Sequence, residues 1–194
     1  MVRLFIISGP SGAGKTTLIS RLFKKPLIRK NFLCAVSFTT RRKRRGEKEN
    51  EDYFFVNKRE FQQLRRQGFF LETQRVLNDF YGTPKFYVDR AAKEGKDLIL
   101  CIDVKGGKYL KNKFRQSKII GIFVMTEDEE ELYRRLKKRQ ELTRSIAQRV
   151  SLAKKELKYL KYYDYVITNQ DLEESVKNLE AVLRAEQLKK CEVV

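Results

Sequence analysis

A glycine-rich segment near the N-terminus has residues suited to holding phosphate groups. It reads Gly9-Pro10-Ser11-Gly12-Ala13-Gly14-Lys15-Thr16 and fits the pattern G-x-x-x-x-G-K-[ST] without mismatch. Glycines let backbone N–H groups approach a phosphate closely, and a helix that begins there adds partial positive charge. Lys15 is placed to reach the β- and γ-phosphates, and the Thr16 hydroxyl to ligate Mg²⁺. The segment predicts binding of a nucleoside triphosphate and by itself leaves the acceptor open.

A run of basic residues is the second candidate site. It reads Ser37-Phe38-Thr39-Thr40-Arg41-Arg42-Lys43-Arg44-Arg45-Gly46-Glu47. Five consecutive cations cannot all be buried without partners, so they face solvent or bind an anion. The charges alone are equally typical of a solvated loop or a basic targeting run. The spacing Ser-x-Thr-Thr-Arg-x-x-Arg around them is more specific than the charges.

Apolar runs and amphipathic stretches alternate along the chain and would position these sites. The predicted strands are residues 4–8, 32–38, 97–104, 119–125 and 163–168. All but the second are almost continuously apolar, which is typical of strands buried on both faces of a parallel sheet. The predicted helices are residues 15–24, 84–94, 107–115, 127–139, 145–159 and 172–189. This alternation predicts a three-layer α/β fold with a five-stranded, mainly parallel sheet.

The stretch from residue 37 to residue 83 departs from this alternation. It is basic and then aromatic, with short strands predicted at residues 53–56 and 69–76 and a helix near residues 58–67. We expect a small inserted α+β lobe. Farther along, Thr126 and Asp171 are each followed three residues later by Glu, a spacing that predicts helix N-caps at both positions.

Composition limits the class of protein. With 194 residues, 41% of them hydrophobic, residues 1–194 are expected to form a single domain with its own core. No apolar run reaches the length of a membrane span, and the N-terminus reads as a buried strand rather than a signal peptide. The absence of histidine excludes His-based triads and His metal sites. The odd number of cysteines (Cys34, Cys101, Cys191) indicates free thiols and a cytoplasmic location.

The chain is strongly basic, with 43 Lys and Arg against 25 Asp and Glu and a net charge of +18. Such an excess fits a solubilising surface, a nucleic-acid partner or phosphorylated small molecules. No stacking platform or helix–turn–helix pattern is present, so we expect no specific nucleic-acid partner, although weak salt-sensitive association stays open.

The spacing from Ser37 to Arg44 is similar to that of the guanylate kinase family, whose pattern runs on to Gly-Glu and Asp-Tyr-x-Phe. Further family-like motifs follow in order: Asp52-Tyr53-Phe54-Phe55-Val56, Phe69-Phe70-Leu71-Glu72, Tyr81-Gly82-Thr83-Pro84, Ile102-Asp103-Val104-Lys105-Gly106 and Tyr163-Asp164-Tyr165-Val166-Ile167-Thr168-Asn169. The resemblance covers residues 3–185. It implies a P-loop fold with a core (residues 1–36, 84–126 and 156–190), a GMP-binding lobe (37–83) and a helical lid (127–155).

The resemblance also implies an activity and its residues: transfer of the γ-phosphate of ATP to GMP, and to dGMP, with Mg²⁺ as cofactor. The catalytic residues would be Lys15, Arg41, Arg139 and Arg149. The ATP-binding residues would be Gly9, Pro10, Ser11, Gly12, Ala13, Gly14, Lys15, Thr16, Thr17 and Arg135. The GMP-binding residues would be Ser37, Arg41, Arg44, Tyr53, Glu72, Tyr81, Thr83 and Asp103. Thr16 and Asp103 would bind the metal.

These implied roles agree with the chemistry of the side chains. Arg41 and Arg44 can fork onto a phosphate with a bidentate geometry that lysine cannot reproduce. The carboxylate of Glu72 can accept from N1–H and the exocyclic amine of guanine, a donor pair that adenine lacks. Without the resemblance, Glu72 reads as a surface carboxylate after a strand. Asp103 ends an apolar strand, and that context favours a role in holding Mg²⁺ through water or contacting the acceptor nucleotide over that of an ordinary strand-end residue.

Several positions depart from the family pattern. The residues Lys48-Glu49-Asn50-Glu51 stand where a glycine and an aliphatic residue are common, Lys105 replaces a glutamine, and Met125-Thr126 replaces a Pro-Pro pair. Two other functions stay open: a kinase for another nucleoside monophosphate, and a non-catalytic domain of this type that binds proteins. Both a monomer and a homodimer fit the sequence.

Overall fold

The computed structural model describes residues 2–44, 46–114, 118–138 and 143–189. In chain order the elements are β1 (Leu4–Ser8), α1 (Lys15–Leu22), α2 (Pro26–Asn31), β2 (Phe32–Cys34), β3 (Phe38–Thr39), β4 (Phe54–Phe55), α3 (Lys58–Arg66), β5 (Phe70–Val76), β6 (Asp79–Pro84), α4 (Phe86–Lys93), β7 (Asp97–Cys101), α5 (Val104–Lys113), β8 (Ile119–Met125), α6 (Glu129–Lys138), α7 (Thr143–Leu157), a 3₁₀ turn (Leu160–Tyr162), β9 (Tyr165–Thr168) and α8 (Leu172–Leu188).

A five-stranded parallel sheet forms the centre, with the strand order β2-β7-β1-β8-β9. The central strand β1 is buried along its whole length. Because side chains alternate across a strand, Phe5 and Ile7 pack with α1 and α8 on one face, whereas Leu4 and Ile6 pack with α4 and α5 on the other. The three-layer α/β prediction is confirmed.

A second, four-stranded sheet has the order β4-β3-β6-β5 and lies in the predicted inserted lobe. Its core is aromatic: Phe61 of α3 stacks on Phe70 and Phe80, with ring centroids 4.7 and 5.6 Å apart. Strands β5 and β6 form an antiparallel pair whose register places Thr83 opposite Glu72. This pairing brings together two residues that are eleven positions apart in sequence.

The prediction of one strand over residues 32–38 is wrong. The parallel strand β2 ends at Cys34, although Ala35 N still donates to Ile99 O at 3.0 Å. The chain then leaves the central sheet, and Phe38 pairs with Phe54 and Gly82 in the second sheet. Residue 37 therefore lies at the crossing between the two sheets, a change of partner that a local apolar pattern does not reveal.

Of the two predicted helix N-caps, one is confirmed and the other is not. At α8 the Asp171 side chain accepts from Glu174 N at 2.8 Å, which confirms that N-cap. At α6 the carboxylate that accepts from Glu131 N, at 2.7 Å, belongs to Asp128, and Thr126 donates instead to the carbonyl of Asp128. The prediction of Thr126 as the cap is wrong because α6 begins at Glu129, so that Asp128, the residue before it, meets the first free N–H groups.

The bounds of other helices and strands differ from the predicted ones by a few residues, and some elements were not predicted. Helix α5 begins at Val104 rather than at residue 107, because Asp103 caps it by accepting from Lys105 N at 2.8 Å. The short helix α2 and the strand β6 had no predicted counterpart. Within the described residues, no helix is both long and apolar enough to cross a membrane.

Candidate active site

A cleft of about 470 Å³ separates the end of β1 from the second sheet. One end is lined by the glycine-rich loop, and the other by side chains of the inserted lobe. The predicted site residues that line it are Gly9, Ser11, Gly12, Gly14, Lys15, Thr16, Ser37, Arg41, Arg44, Tyr53, Glu72, Tyr81, Asp103 and Arg149. The structure thus brings most of the predicted residues to one cavity.

The phosphate loop joins β1 to α1, as the motif requires. Gly14, the residue before α1, has φ of 95°, a left-handed conformation that favours glycine, and a side chain there would collide with Asn169. Lys15 lies across the loop, with Nζ donating to Gly9 O at 2.5 Å and to Pro10 O at 2.9 Å. The ammonium therefore sits beside the backbone that would surround a phosphate.

The back of the loop is tied to β9 and α6. Asn169, buried just after β9, donates from Nδ2 to Ala13 O at 2.8 Å. Arg135 of α6 donates to Asn169 O at 2.7 Å and to Glu131 at 2.6 Å, and its Nη1 lies 3.4 Å from Ala13 O. The predicted ATP-binding residue Arg135 thus braces the loop from behind and is absent from the residues that line the cleft.

The remaining predicted donor-side residues fall in different places. Arg149 of α7 reaches the front of the loop and donates to Ser11 Oγ at 2.9 Å. Thr17 is exposed on α1, and it does not line the cleft. The predicted catalytic residue Arg139 lies outside the described residues, as does Cys191.

A buried polar chain forms the far end of the cleft. Thr83 donates to Glu72 Oε1 at 2.9 Å, and the Ser37 and Thr83 hydroxyls are hydrogen-bonded at 3.2 Å. All three residues are less than a tenth exposed. Gly106 of α5 closes the other side, since a Cβ there would lie 2.8 Å from Glu72 Oε2. A buried carboxylate and two buried hydroxyls are suited to recognising a planar group with several N–H donors.

Burial is the main reason why the pKa of Glu72 is raised to about 7. The hydrogen bond from Thr83 opposes this shift, and the negative charge of Asp103 adds to it. The charged form of Glu72 therefore lacks sufficient partners in the protein itself, a pattern that is common at functional sites.

Arg41 and Arg44 also line the cleft. The guanidinium of Arg41 lies over the ring of Tyr53, 5.5 Å from its centroid, and the rings of Tyr53 and Tyr81 are 5.9 Å apart. Arg41 also forms a double hydrogen bond with Glu47, at 2.7 and 3.0 Å. Burial raises the pKa of the Tyr53 phenol, so this hydroxyl stays protonated and can donate.

Three of the side chains that line the cleft carry oxygen atoms that could bind a metal. Asp103 follows β7, Thr16 begins α1, and Glu156 near the end of α7 completes the wall. Glu156 is 6% exposed, its Oε2 has no hydrogen-bond partner, and its pKa is raised to about 7 mainly by burial. Within the described residues no group of three or more acidic or Cys side chains could hold a metal alone. This sparse, oxygen-only set fits Mg²⁺, which usually binds through one or two carboxylates plus substrate phosphates.

Sequence reasoning missed several residues of this cleft. Glu47, Gln74, Cys101, Leu152 and Glu156 line it without having been predicted as site residues. Two of them carried a signal: Glu47 belongs to the Gly-Glu of the resemblance, and Gln74 is two residues after Glu72 on the same strand face. Glu156 had none, because an acidic residue on an amphipathic helix normally faces solvent.

The comparisons with known proteins agree with this geometry. The family model described as "Guanylate kinase" matches residues 1–186. A guanylate kinase of Wolbachia sp. subsp. Brugia malayi is 40% identical over 188 residues, which cover 96% of this chain and 94% of the relative. One from Caldanaerobacter subterraneus subsp. tengcongensis is 39% identical over 191 residues, 98% of this chain and 89% of the relative.

A solved structure is also similar along nearly the whole chain. The crystal structure of guanylate kinase from Anaplasma phagocytophilum matches with a TM-score of 0.79 and 34% identity, covering 98% of this chain and 88% of the other. Sequence, fold and cleft agree, and this chain belongs to the guanylate kinase family.

Proposed function

We propose that the chain transfers the γ-phosphate of ATP to GMP, giving ADP and GDP, in the cleft between the phosphate loop and the second sheet. The observation that carries the proposal is the buried chain of Ser37, Thr83 and Glu72 at the end of the cleft opposite Lys15. Such a chain can select a guanine base, whereas the phosphate loop alone fits any user of nucleoside triphosphates.

ATP would bind with its phosphates along residues 9–16. The backbone N–H groups of this loop and the start of α1 favour anions, and Lys15 adds a mobile positive charge. When phosphate oxygens arrive, Nζ of Lys15 can exchange its bonds to Gly9 O and Pro10 O for bonds to the β- and γ-phosphates.

The guanine base would bind edge-on to Glu72. Its N1–H and exocyclic amine supply the two donors that an ionised carboxylate accepts, and the hydroxyls of Ser37 and Thr83 complete the polar surround. Adenine lacks this donor pair and would leave the Glu72 carboxylate with too few hydrogen-bond partners, which is costly for a buried charge. The site therefore favours GMP over AMP, and nothing in it excludes the deoxyribose of dGMP.

The monophosphate of GMP would bind to Arg41, Arg44 and the hydroxyls of Tyr53 and Tyr81. These cations hold the acceptor oxygen facing the γ-phosphate and neutralise charge during transfer. Positioning and charge neutralisation are the main demands of phosphoryl transfer.

Mg²⁺ bound with ATP would supply further neutralisation of the phosphates. The residues that would hold it are Thr16, through its hydroxyl, and Asp103, through water. The negative charge of Asp103 also helps to raise the pKa of Glu72, so Asp103 would interact with both the metal and the guanine-binding residues.

The division of labour along the chain is part of the proposal. Residues 37–83 would act as the GMP-binding lobe, residues 127–155 as a lid, and the rest as the core. In the lid, Arg149 would move from Ser11 to the ATP phosphates, Arg135 would support the loop, and Arg139 would add a cation. Closure of such a lid excludes water and limits wasteful hydrolysis of ATP.

We further propose a cytoplasmic enzyme, because ATP and GMP are small substrates of that compartment and Cys34 and Cys101 are free thiols. It would act on these small molecules without a specific nucleic-acid partner. Both the monomer and the homodimer are compatible with a cleft built from one chain.

A coupled assay of ADP release tests the proposal. With ATP and Mg²⁺ present, we expect release that depends on GMP or dGMP, and far less with AMP, dTMP or UMP as acceptor. The variant Lys15→Ala should abolish most of this release. Its matched control is Lys24→Ala, which removes a lysine from the exposed surface just beyond α1. Equal turnover with AMP would refute the choice of base, and release of ADP that does not respond to any acceptor would refute the kinase.

A further inference from the structure

We infer that Glu47 is a positioning residue for the acceptor phosphate: it holds one edge of the Arg41 guanidinium so that the opposite edge faces the cleft. The inference rests on the proposed function, since it assigns Arg41 to the monophosphate. It adds a residue whose role is exerted through another side chain.

Three hydrogen bonds connect Glu47 to the two arginines. Arg41 donates from Nη1 to Oε2 at 3.0 Å and from Nη2 to Oε1 at 2.7 Å, and the backbone N of Arg44 donates to Oε2 at 2.8 Å. The Arg41 and Glu47 side chains are only 10% and 18% exposed, so this pair is shielded from solvent. One carboxylate therefore fixes the side chain of one arginine and the backbone of the other.

The pairing leaves a defined edge of Arg41 for a ligand. A guanidinium has five N–H donors in a rigid plane. Both hydrogens of Nη1 are used, one by Glu47 and the other by Arg42 O at 2.7 Å, and Glu47 takes one hydrogen of Nη2. Within the described residues no hydrogen bond uses Nε or the second hydrogen of Nη2. These two donors are parallel and match two oxygens of a phosphate.

Aromatic rings fix the plane of the same guanidinium. Its central carbon lies 5.5 Å from the ring centroid of Tyr53 and 5.7 Å from that of Phe55. The rings limit tilting, and the double hydrogen bond to Glu47 limits rotation within the plane. Both restraints are present before a ligand arrives, so little conformational entropy is lost when a phosphate binds.

Charge also favours this role for Glu47. It follows a run of five cations, residues 41–45, whose mutual repulsion would otherwise drive their side chains apart. Burial pushes the pKa of Glu47 upward, but the hydrogen bonds from Arg41 and from the Arg44 backbone outweigh it and hold the pKa below the usual range. Glu47 therefore stays ionised at neutral pH.

The test compares Glu47→Gln and Glu47→Asp with a matched control, Glu51→Gln. Glu51 is in the same segment, but it pairs with Lys48 at the surface, where the two side chains are 67% and 68% exposed. GMP affinity is measured by calorimetry on the full chain, and KM for each substrate, kcat and Tm are measured in parallel.

We expect Glu47→Gln to weaken GMP binding and raise the KM for GMP about tenfold, since the pair of charge-assisted hydrogen bonds between Arg41 and Glu47 is lost. The KM for ATP, the Tm and the kcat at saturating GMP should change much less. Glu47→Asp keeps the charge and should recover part of the affinity, and Glu51→Gln should match the wild type.

A double-mutant cycle with Arg41→Lys tests whether Glu47 acts through Arg41. If it does, Glu47→Gln should have little further effect on GMP affinity once Arg41 is lysine. Additive losses in the cycle would overturn the inference, and so would unchanged or tighter GMP binding by Glu47→Gln. Equal rises in both KM values together with a lower Tm would show a merely structural role.

Failure of the proposed function would look different. In that case the wild-type chain would show no GMP-dependent ADP release. The calorimetric comparison of the variants would still decide whether Glu47 positions Arg41 toward a bound monophosphate.

Discussion

At the donor end of the cleft a phosphate would meet one continuous segment, residues 9–16, whereas at the acceptor end a ligand would meet side chains from separate strands. In the proposed function the donor end would rely on backbone N–H groups, on Lys15 and Thr16, and on arginines such as Arg149. The acceptor end relies on buried side chains, among them Glu72 and Arg41, whose charges depend on their neighbours. The donor end therefore tolerates changes around it better than within it, and the acceptor end is sensitive to each partner of its charged groups.

The largest expected effect comes from removing the charge of Lys15 at the donor end. Lys15→Ala should lower kcat about 1000-fold, because charge neutralisation in the transition state is lost at the transferring group. GMP affinity, measured by calorimetry, should change little, because Lys15 lies at the other end of the cleft. A fall in kcat matched by an equal loss of GMP affinity would show that the two ends are not separable. Lys24→Ala is the control.

The next largest effect is expected from a substitution that disrupts binding at the acceptor end. Glu72→Gln should weaken GMP binding about 100-fold, because the amide offers one acceptor and turns a donor toward a guanine donor. ATP binding should stay near the wild-type value. Calorimetry with GMP and with ATP measures both. The comparison between the ends would fail if the substitution weakened both nucleotides equally.

The difference between the ends also explains what the sequence could predict. The loop at residues 9–16 is contiguous, so its motif and its flanking β1 and α1 were predicted correctly. Strands β1 and β8 matched their predicted bounds, because strands buried on both faces are apolar throughout. In the lobe, the strand β6 was not predicted, since Asp79, Gly82 and Pro84 are residues typical of turns.

The contacts that the sequence did not predict form only when the chain folds. Ser37 reaches Thr83 only because the chain changes sheets after Cys34, a step that the predicted strand over residues 32–38 missed. The contact of Glu47 with Arg41, and the burial of Glu156 at the cleft, follow from tertiary packing. Family resemblance, rather than periodicity, identified Glu72.

A third prediction concerns pH and separates the two ends without mutation. The pKa of Glu72 is about 7, and only the ionised carboxylate accepts from both guanine donors. GMP affinity should therefore rise about tenfold from pH 6 to pH 8, as the ionised fraction grows. The phosphate of GMP also titrates near pH 6, so the wild type is compared with Glu72→Gln, which has the same phosphate but lacks the carboxyl. Parallel pH profiles of the two proteins would contradict this role for Glu72.

Stability should respond to pH with the opposite sign. The folded protein binds the Glu72 proton more tightly than the unfolded chain does, because burial raises the pKa from 4.5 to about 7. The free energy of unfolding contributed by this group therefore falls as pH rises through that window. Glu72→Gln removes the cost of ionising this buried carboxyl. The Tm of the variant should therefore exceed that of the wild type at pH 8, and the difference should vanish near pH 4. An equal Tm difference at both pH values would show that the effect comes from packing.

The smallest expected effect tests whether the donor end depends on support from behind the loop. Asn169→Ala removes the hydrogen bond from Nδ2 to Ala13 O and leaves that carbonyl with the weaker contact from Arg135. We expect a loss of about 1 kcal/mol in the free energy of unfolding and a rise of about threefold in the KM for ATP. The KM for GMP should not change. Gln170→Ala is the matched control, because the neighbouring Gln170 is exposed and bonds only to Glu127 among the described side chains. A larger effect on the KM for GMP than on the KM for ATP would mean that the phosphate loop is coupled to the acceptor end. It would contradict the expectation that the two ends of the cleft bind their nucleotides independently.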